Sequence, residues 1–302
     1  MELSIVVCTY NREKYLEQSL NSLVNQSLDK KYYEIILVNN NSTDSTEAIC
    51  NQFKNQNPEL NFTYFLELNQ GLSFARNKGI ELSNGKIIVF LDDDAFASEK
   101  YLEEILIFFN ENKNAAAFGG RIYPKFESQK PAWMSSFLMS LASVIDLGDE
   151  VKTFKYGQYP IGANMGIRKD IFEKYGVFDT KLGRVGKGMQ GGEEKDIFYR
   201  IISNNESIYY LPNAWVYHIV PDVRLQNNFI RKQALGVGYS EKMRSKNIGQ
   251  KEVLKSIIKE LMKWIASIFL FLYFSLIFQF PKGQMIIKFR YWVSIGFLYE
   301  KL

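Results

Sequence analysis

Four short apolar, β-branched runs alternate with helical periodicities over the first 110 residues, and this alternation restricts the chain to an α/β fold. The runs cover 3–8, 34–38, 61–66 and 86–91. Between them, residues 12–25 place Tyr15, Leu16, Leu20, Leu23 and Val24 at helical spacing. Ser42-Thr43-Asp44 offers the cap for a helix through Phe53, residues 72–82 form a third helix closed by Asn84-Gly85, and residues 98–110 form a fourth. Strands separated by helices require right-handed crossovers and a mainly parallel sheet. Ligands bind such sheets at the carboxyl ends of the strands. Three polar clusters therefore share one rim: Thr9-Tyr10-Asn11 with Arg12, Asn39-Asn40-Asn41, and Asp92-Asp93-Asp94.

The second half is less regular. Residues 115–123 read as a strand, and 128–149 as a mobile loop or short helices. A short helix is expected over 171–175, a glycine-rich loop over 183–192, and a helix over 193–202. Two short strands are expected over 208–211 and 214–217. The 302 residues suffice for one α/β domain, 1–225, with a helical, hydrophobic appendage, 226–302. Within the domain, 1–112 forms the nucleotide-binding half and 113–225 the acceptor half. The net charge of +4 comes without a dense basic stripe, which argues against nucleic acid as a partner. Cys8 and Cys50 do not make a disulfide framework, and the chain opens directly into a strand, which reads as a protein of a reducing cytosol.

Three adjacent carboxylates at a strand end repel one another unless a cation is present, and their oxygens suit Mg²⁺ or Mn²⁺. An acidic turn capping the next helix would show the same residues. Glu193, Glu194 and Asp196 open a helix after the glycine-rich loop, where they either stabilise the helix start or supply a general base. His218, the only histidine, fits a structural role or a metal ligand. No phosphate-binding loop is present, because Gly186-Lys187 is followed by Gly188. Gly236-Val237-Gly238 follows no strand, which makes it a weak dinucleotide signal.

Seven stretches in order resemble family 2 of the glycosyltransferases, with the GT-A fold. They are residues 4–12, 36–44, Asn69-Gln70-Gly71-Leu72-Ser73-Phe74-Ala75-Arg76-Asn77, Phe90-Leu91-Asp92-Asp93-Asp94, Gly162-Ala163-Asn164-Met165, Gly176-Val177-Phe178-Asp179 and Gly192-Glu193-Glu194-Lys195-Asp196, with His218 closing the set. The resemblance covers about residues 1–220. It implies an inverting transfer from a nucleotide-diphosphate sugar, a UDP-sugar first, to a glycan or lipid-linked acceptor. By the same resemblance, Thr9, Tyr10, Asn11, Arg12 and Asn39–Asn41 hold the nucleoside, and Arg76 and Asp92–Asp93 lie by the ribose and diphosphate. Asp94, with Asp92 and His218, takes the metal, and Glu194 is the base. The chain departs from the family at Asn39, where aspartate is usual, and at Glu194, where aspartate is commoner, so Glu193 and Asp196 stay open as alternatives. A nucleotidyltransferase would carry a glycine-rich, basic loop after the first strand, where this chain has Thr9-Tyr10-Asn11-Arg12. A membrane-bound sugar-nucleotide binder without activity is a further alternative. Closure of the 183–192 loop over the donor is also expected.

Residues 264–280 carry no charge, about 26 Å of helix against an apolar layer of about 30 Å. Lys251, Lys255, Lys259 and Lys263 precede the segment, and Lys282, Lys288, Arg290 and Lys301 follow it. Keeping both basic clusters on one side calls for a re-entrant hairpin or two helices in the plane of the cytoplasmic face of a membrane.

Overall fold

The computed structural model describes residues 1–155, 157–186, 188 and 191–298. The four apolar runs are strands β1 (Leu3–Thr9), β2 (Tyr33–Asn39), β3 (Phe62–Leu66) and β4 (Ile87–Asp92). They alternate with helices α1 (Glu13–Val24), α2 (Thr46–Gln56) and α3 (Leu72–Leu82). The chain continues through β5 (Ala95–Ala97), α4 (Tyr101–Glu111), β6 (Ala115–Phe126), β7 (Lys152–Thr153), β8 (Asn164–Arg168), α5 (Lys169–Tyr175), α6 (Glu193–Ser203) and β9 (Ser207–Val220). The carboxyl-terminal helices are α7 (Asn227–Ile248), α8 (Gln250–Leu276) and α9 (Phe280–Leu298). The chain folds as two compact units, the first of residues 1–125, 143–181 and 193–219, the second of 126–142, 182–192 and 220–302.

The sheet of the first unit runs β3-β2-β1-β4-β8-β6-β9-β5, with β7 on β9. The β3-β2-β1-β4 half is parallel, and β8 is antiparallel to β4 and β6. The parallel strands are apolar throughout because both faces are covered. Ile5, Val7, Leu37, Val89 and Leu91 pack with Leu16, Leu20, Phe53 and Ile105 of α1, α2 and α4. The alternate residues Val6, Ile36, Ile88 and Phe90 pack with Ala75, Ile171, Ile197 and Phe198 of α3, α5 and α6. The α/β sheet flanked by helices that was read from the sequence is present, with helices at the carboxyl terminus.

One local expectation changes. The runs at 208–211 and 214–217 are parts of one strand, β9. Pro212 does not interrupt it, and lies between the stretch paired with β7 (Tyr209, Tyr210) and the stretch paired with β5 (Val216–His218). Residues 128–149 contain a short 3-10 helix at Ser136–Ala142, the second of the two readings of that stretch. The 183–192 loop includes Lys187, Met189 and Gln190, which lie outside the described residues, and so does the reading that it closes over a donor.

In the second unit, α9 packs on α7 and α8. A Cβ at Gly238 would stand 2.0 Å from the Val293 carbonyl oxygen, and one at Gly296 would stand 2.1 Å from that of Leu235. The glycines let the α7 and α9 backbones touch, which explains Gly236-Val237-Gly238 without a nucleotide. α8 is pinned to α9 by Arg290 Nη1 on Glu260 Oε2 (2.8 Å) and by Trp264 Nε1 donating to Ser294 Oγ (2.8 Å). No helix among the described residues is long and apolar enough to cross a membrane.

Candidate active site

Register brings the three polar clusters together. Thr9 pairs with Asn39, and Cys8 pairs with Asp92, so all three strands end at one level. The loops that follow are tied to each other. Asn11 donates its N–H to Ser42 Oγ (3.0 Å), and its Oδ1 accepts from Thr43 N (2.8 Å). Asn11 and Asn41 both take left-handed backbone (φ 52° and 61°), which asparagine tolerates better than most residues.

The asparagines are engaged in building this rim. Asn39 donates from Nδ2 to Tyr64 Oη (3.0 Å) and accepts from Ser42 N at Oδ1 (2.9 Å). Asn40, buried, donates to the carbonyls of Glu67 (3.2 Å) and Asn69 (2.7 Å) and accepts from Gly71 N (2.7 Å). Asn40 is thereby the staple that positions Gly71, whose φ of 147° opens α3 and so sets the direction of Arg76.

At the end of β4, His218 Nε2 stands 3.0 Å from Asp94 Oδ1 and 3.9 Å from Asp92 Oδ2. One ligand atom from each of the three residues lies within 4.8 Å of the others. Asp94 and His218 are buried, whereas Asp92 is about a third exposed at the mouth. Two carboxylate oxygens and an imidazole nitrogen are a donor set that a divalent cation such as Mn²⁺ accepts readily. Arg12 closes the back of the cluster, with Nη2 3.3 Å from Asp94 Oδ2 and Nε 3.8 Å from Asp93 Oδ1. Burial, then the Asp94 charge, pushes the Asp93 carboxyl up to about 7 against the pull of Arg12.

The opening of α6 supplies a second charged group. Arg76 is buried and divides its guanidinium between two glutamates, Nη1 to Glu193 Oε1 (2.9 Å) and Nη2 to Glu194 Oε1 (3.0 Å). Its planar group lies over Phe178, 5.3 Å from the ring centre. Asn77 fixes Phe178 by exchanging two hydrogen bonds with its backbone (2.9 and 3.0 Å). Burial raises the Glu194 carboxyl to about 7, with Arg76 opposing and the charges of Glu193 and Asp92 adding. Asp196 stands apart from this group, because its Oδ2 is taken by Arg200 one turn along α6 (3.0 Å).

Gly162 has a role that the sequence alone does not show. A Cβ there would stand 2.0 Å from Arg76 Nη2 and 2.2 Å from Glu194 Oε1, so a side chain at this position would displace the ends of the pair. Tyr64, partner of Asn39, is likewise invisible to sequence reasoning, since nothing in a single sequence marks a tyrosine on an outer strand.

A model of "Glycosyl transferase family 2" matches residues 4–176. The glucosyl-dolichyl phosphate glucuronosyltransferase of Haloferax volcanii is 26% identical over 251 residues, covering 80% of this chain and 77% of that protein. The minor teichoic acid biosynthesis protein GgaB of Bacillus subtilis is 38% identical over 113 residues, 37% of this chain and 12% of its own length. Among solved structures, the mannosyltransferase PcManGT of Pyrobaculum calidifontis in complex with GDP-Man and Mn²⁺ aligns over 100% of this chain and 88% of its own, with a TM-score of 0.66 at 14% identity. S. aureus TarS 1-349 in complex with UDP-GlcNAc covers 82% and 71%, with a TM-score of 0.56 at 19% identity. At those identities the structural likeness speaks for the fold alone.

Proposed function

The chain belongs to glycosyl transferase family 2, and from that membership we propose that it transfers a sugar from a nucleoside-diphosphate sugar to an acceptor hydroxyl with inversion at the anomeric carbon. The observation that carries the reading is the pairing, on one rim, of a cation site at Asp92, Asp94 and His218 with a buried carboxylate at Glu194 whose proton affinity lies near neutrality. A divalent cation bound there would neutralise the charge that develops on the departing diphosphate. The imidazole in the donor set favours Mn²⁺ over Mg²⁺, which prefers oxygen and water.

Glu194 takes the proton of the acceptor hydroxyl as its oxygen attacks the anomeric carbon, and the bond to the diphosphate breaks on the opposite face. Arg76 holds Glu194 in place, and Glu193 shares that cation without a further role at the reacting atoms. We assign the base to Glu194 and not to Asp196, whose Oδ2 accepts from Arg200 away from this group.

Thr9, Tyr10 and the Asn39–Asn41 rim receive the base and ribose. UDP-GlcNAc and GDP-Man in the structural relatives support a nucleoside-diphosphate sugar as the donor class, and a UDP-sugar is our first choice. The names of the glucuronosyltransferase and of GgaB support a surface glycan or lipid-linked acceptor, met at the cytoplasmic face of a membrane. A thermal-shift panel of UDP, GDP and dTDP with Mn²⁺ tests the donor class. One diphosphate should raise the melting temperature only when Mn²⁺ is present. No shift with any of them would oppose the proposal.

A further inference from the structure

α8 is two-faced in a way that packing within its own unit does not account for. Leu254, Ile258, Leu261, Ile265, Leu272 and Leu276 follow one another at helical spacing, and all are between 49% and 78% exposed. Met262 and Phe269, at 65% and 69%, and Ile257 and Tyr273, at 42% and 54%, widen the stripe. At 3.6 residues per turn the exposed apolar arc is about 160° wide and about 33 Å long. The opposite side of the helix holds the buried Ser256, Ser267 and Phe274. At the end of the helix Phe278 is 84% exposed, and its positive φ (57°) turns the chain into α9.

Charge is sorted along the same helix. Its two acids turn inward, Glu252 to Arg244 (3.3 Å) and Glu260 to Arg290 (2.8 Å). Lys251, Lys255, Lys259 and Lys263 are all exposed. Lys255 and Lys263 also reach these two carboxylates, yet their side chains stay more than half exposed. The exposed side of α8 is therefore apolar with no exposed carboxylate, and the lysine row begins on it at Lys251 and Lys255 and winds toward the packed side at Lys259 and Lys263.

We propose that this face of α8 is a docking surface for an anionic lipid bilayer, on which the helix lies in the interfacial plane. Its lysines would meet lipid phosphates while Leu261, Phe269 and Phe278 enter the acyl boundary. A second copy of the chain is the poorer occupant. The arc is wider than a coiled-coil seam, and two copies would bring basic rows together without an acid to receive them. A crossing helix is not available among the described residues. The inference deepens the membrane part of the proposed function, and its test requires no turnover, so the failure of either is visible separately.

The test is co-sedimentation of the full chain with phosphatidylcholine vesicles, with and without about one-third phosphatidylglycerol. Binding should need the anionic lipid and weaken as salt is raised. Replacing the four lysines with glutamine should lower partitioning by about a hundredfold or more at low salt. Phe269→Glu with Leu272→Glu should abolish binding while leaving the circular dichroism spectrum and the melt unchanged, because both residues are exposed. Val223→Glu, an exposed apolar residue outside α8, should leave binding unchanged. A tryptophan placed by Phe278→Trp should be quenched by lipids brominated on the acyl chain. Equal binding to neutral vesicles, no binding to either, or a dimer in solution that the α8 glutamates dissociate would each overturn the proposal.

Discussion

Replacing Arg76 with glutamine tests how the buried charge group sets the base. Arg76 is the cation for both Glu193 and Glu194, and it is the influence that holds the Glu194 carboxyl down against burial. An opposite charge at hydrogen-bond distance lowers a carboxyl by about one to three units, so its removal should raise Glu194 from about 7 to about 9. The base must be ionised to accept a proton, so activity rises with pH through this value. In Arg76→Gln the acid limb should move about two units toward alkali. Turnover at pH near 7 should fall about fiftyfold and recover substantially near pH 9. The melting temperature should fall by several degrees, because one partner of a buried group has been removed, and protonation of the glutamates offsets part of that cost. The assay is release of nucleoside diphosphate against pH at saturating donor and Mn²⁺, with donor affinity measured alongside. A loss of turnover that is the same at every pH, accompanied by weaker donor binding, would refute the argument and return Arg76 to the diphosphate, where resemblance alone had placed it.

The remaining predictions concern the other groups of the rim. Asp94→Ala should abolish Mn²⁺-dependent nucleotide affinity and turnover, while His218→Ala should weaken Mn²⁺ binding measured by electron paramagnetic resonance; full activity in excess chelator would contradict both. Glu194→Gln should lower turnover by at least about a hundredfold with nucleotide binding intact, and Asp196→Asn should change turnover much less. If Asp196→Asn gives the larger loss, the base has been misassigned. Gly162→Ala should drive Arg76 and Glu194 apart and cost about a hundredfold in turnover, since small displacements of a catalytic group are enough; a crystal structure of an active variant with the pair in place would show that the space is adaptable.

The parallel half of the fold was legible because its signals are local. Residues 72–82 are a helix because a glycine precedes them and apolar residues recur along them. The β4 run ends where Asp92 begins. The site was legible where one strand end carries the chemistry, as in the aspartate triplet. It was not legible where function depends on pairs distant in sequence. Nothing near residue 76 indicates that its partners lie at 193 and 194, or that a side chain at residue 162 would meet them. Asn39 and Asn40 read as base-binding groups in the sequence because their type and position suit hydrogen bonds. Their structural roles depend on Tyr64, Glu67 and Gly71, which only the folded rim brings near. β9 reads as two strands because its apolar runs are separated at residues 212–213, whereas the continuous strand depends on neighbours that only the folded sheet supplies.

The central claim is that Glu194 and the Asp92–Asp94–His218 cation site together carry out an inverting sugar transfer. Proton nuclear magnetic resonance of the enzyme with a nucleoside-diphosphate sugar found by thermal shift, followed in time with water as the slow acceptor, tests it most directly. The free sugar should first appear as the anomer opposite to that of the donor, only with a divalent cation, and not in Glu194→Gln. First appearance of the donor's own anomer, or equal release by Glu194→Gln, would contradict it.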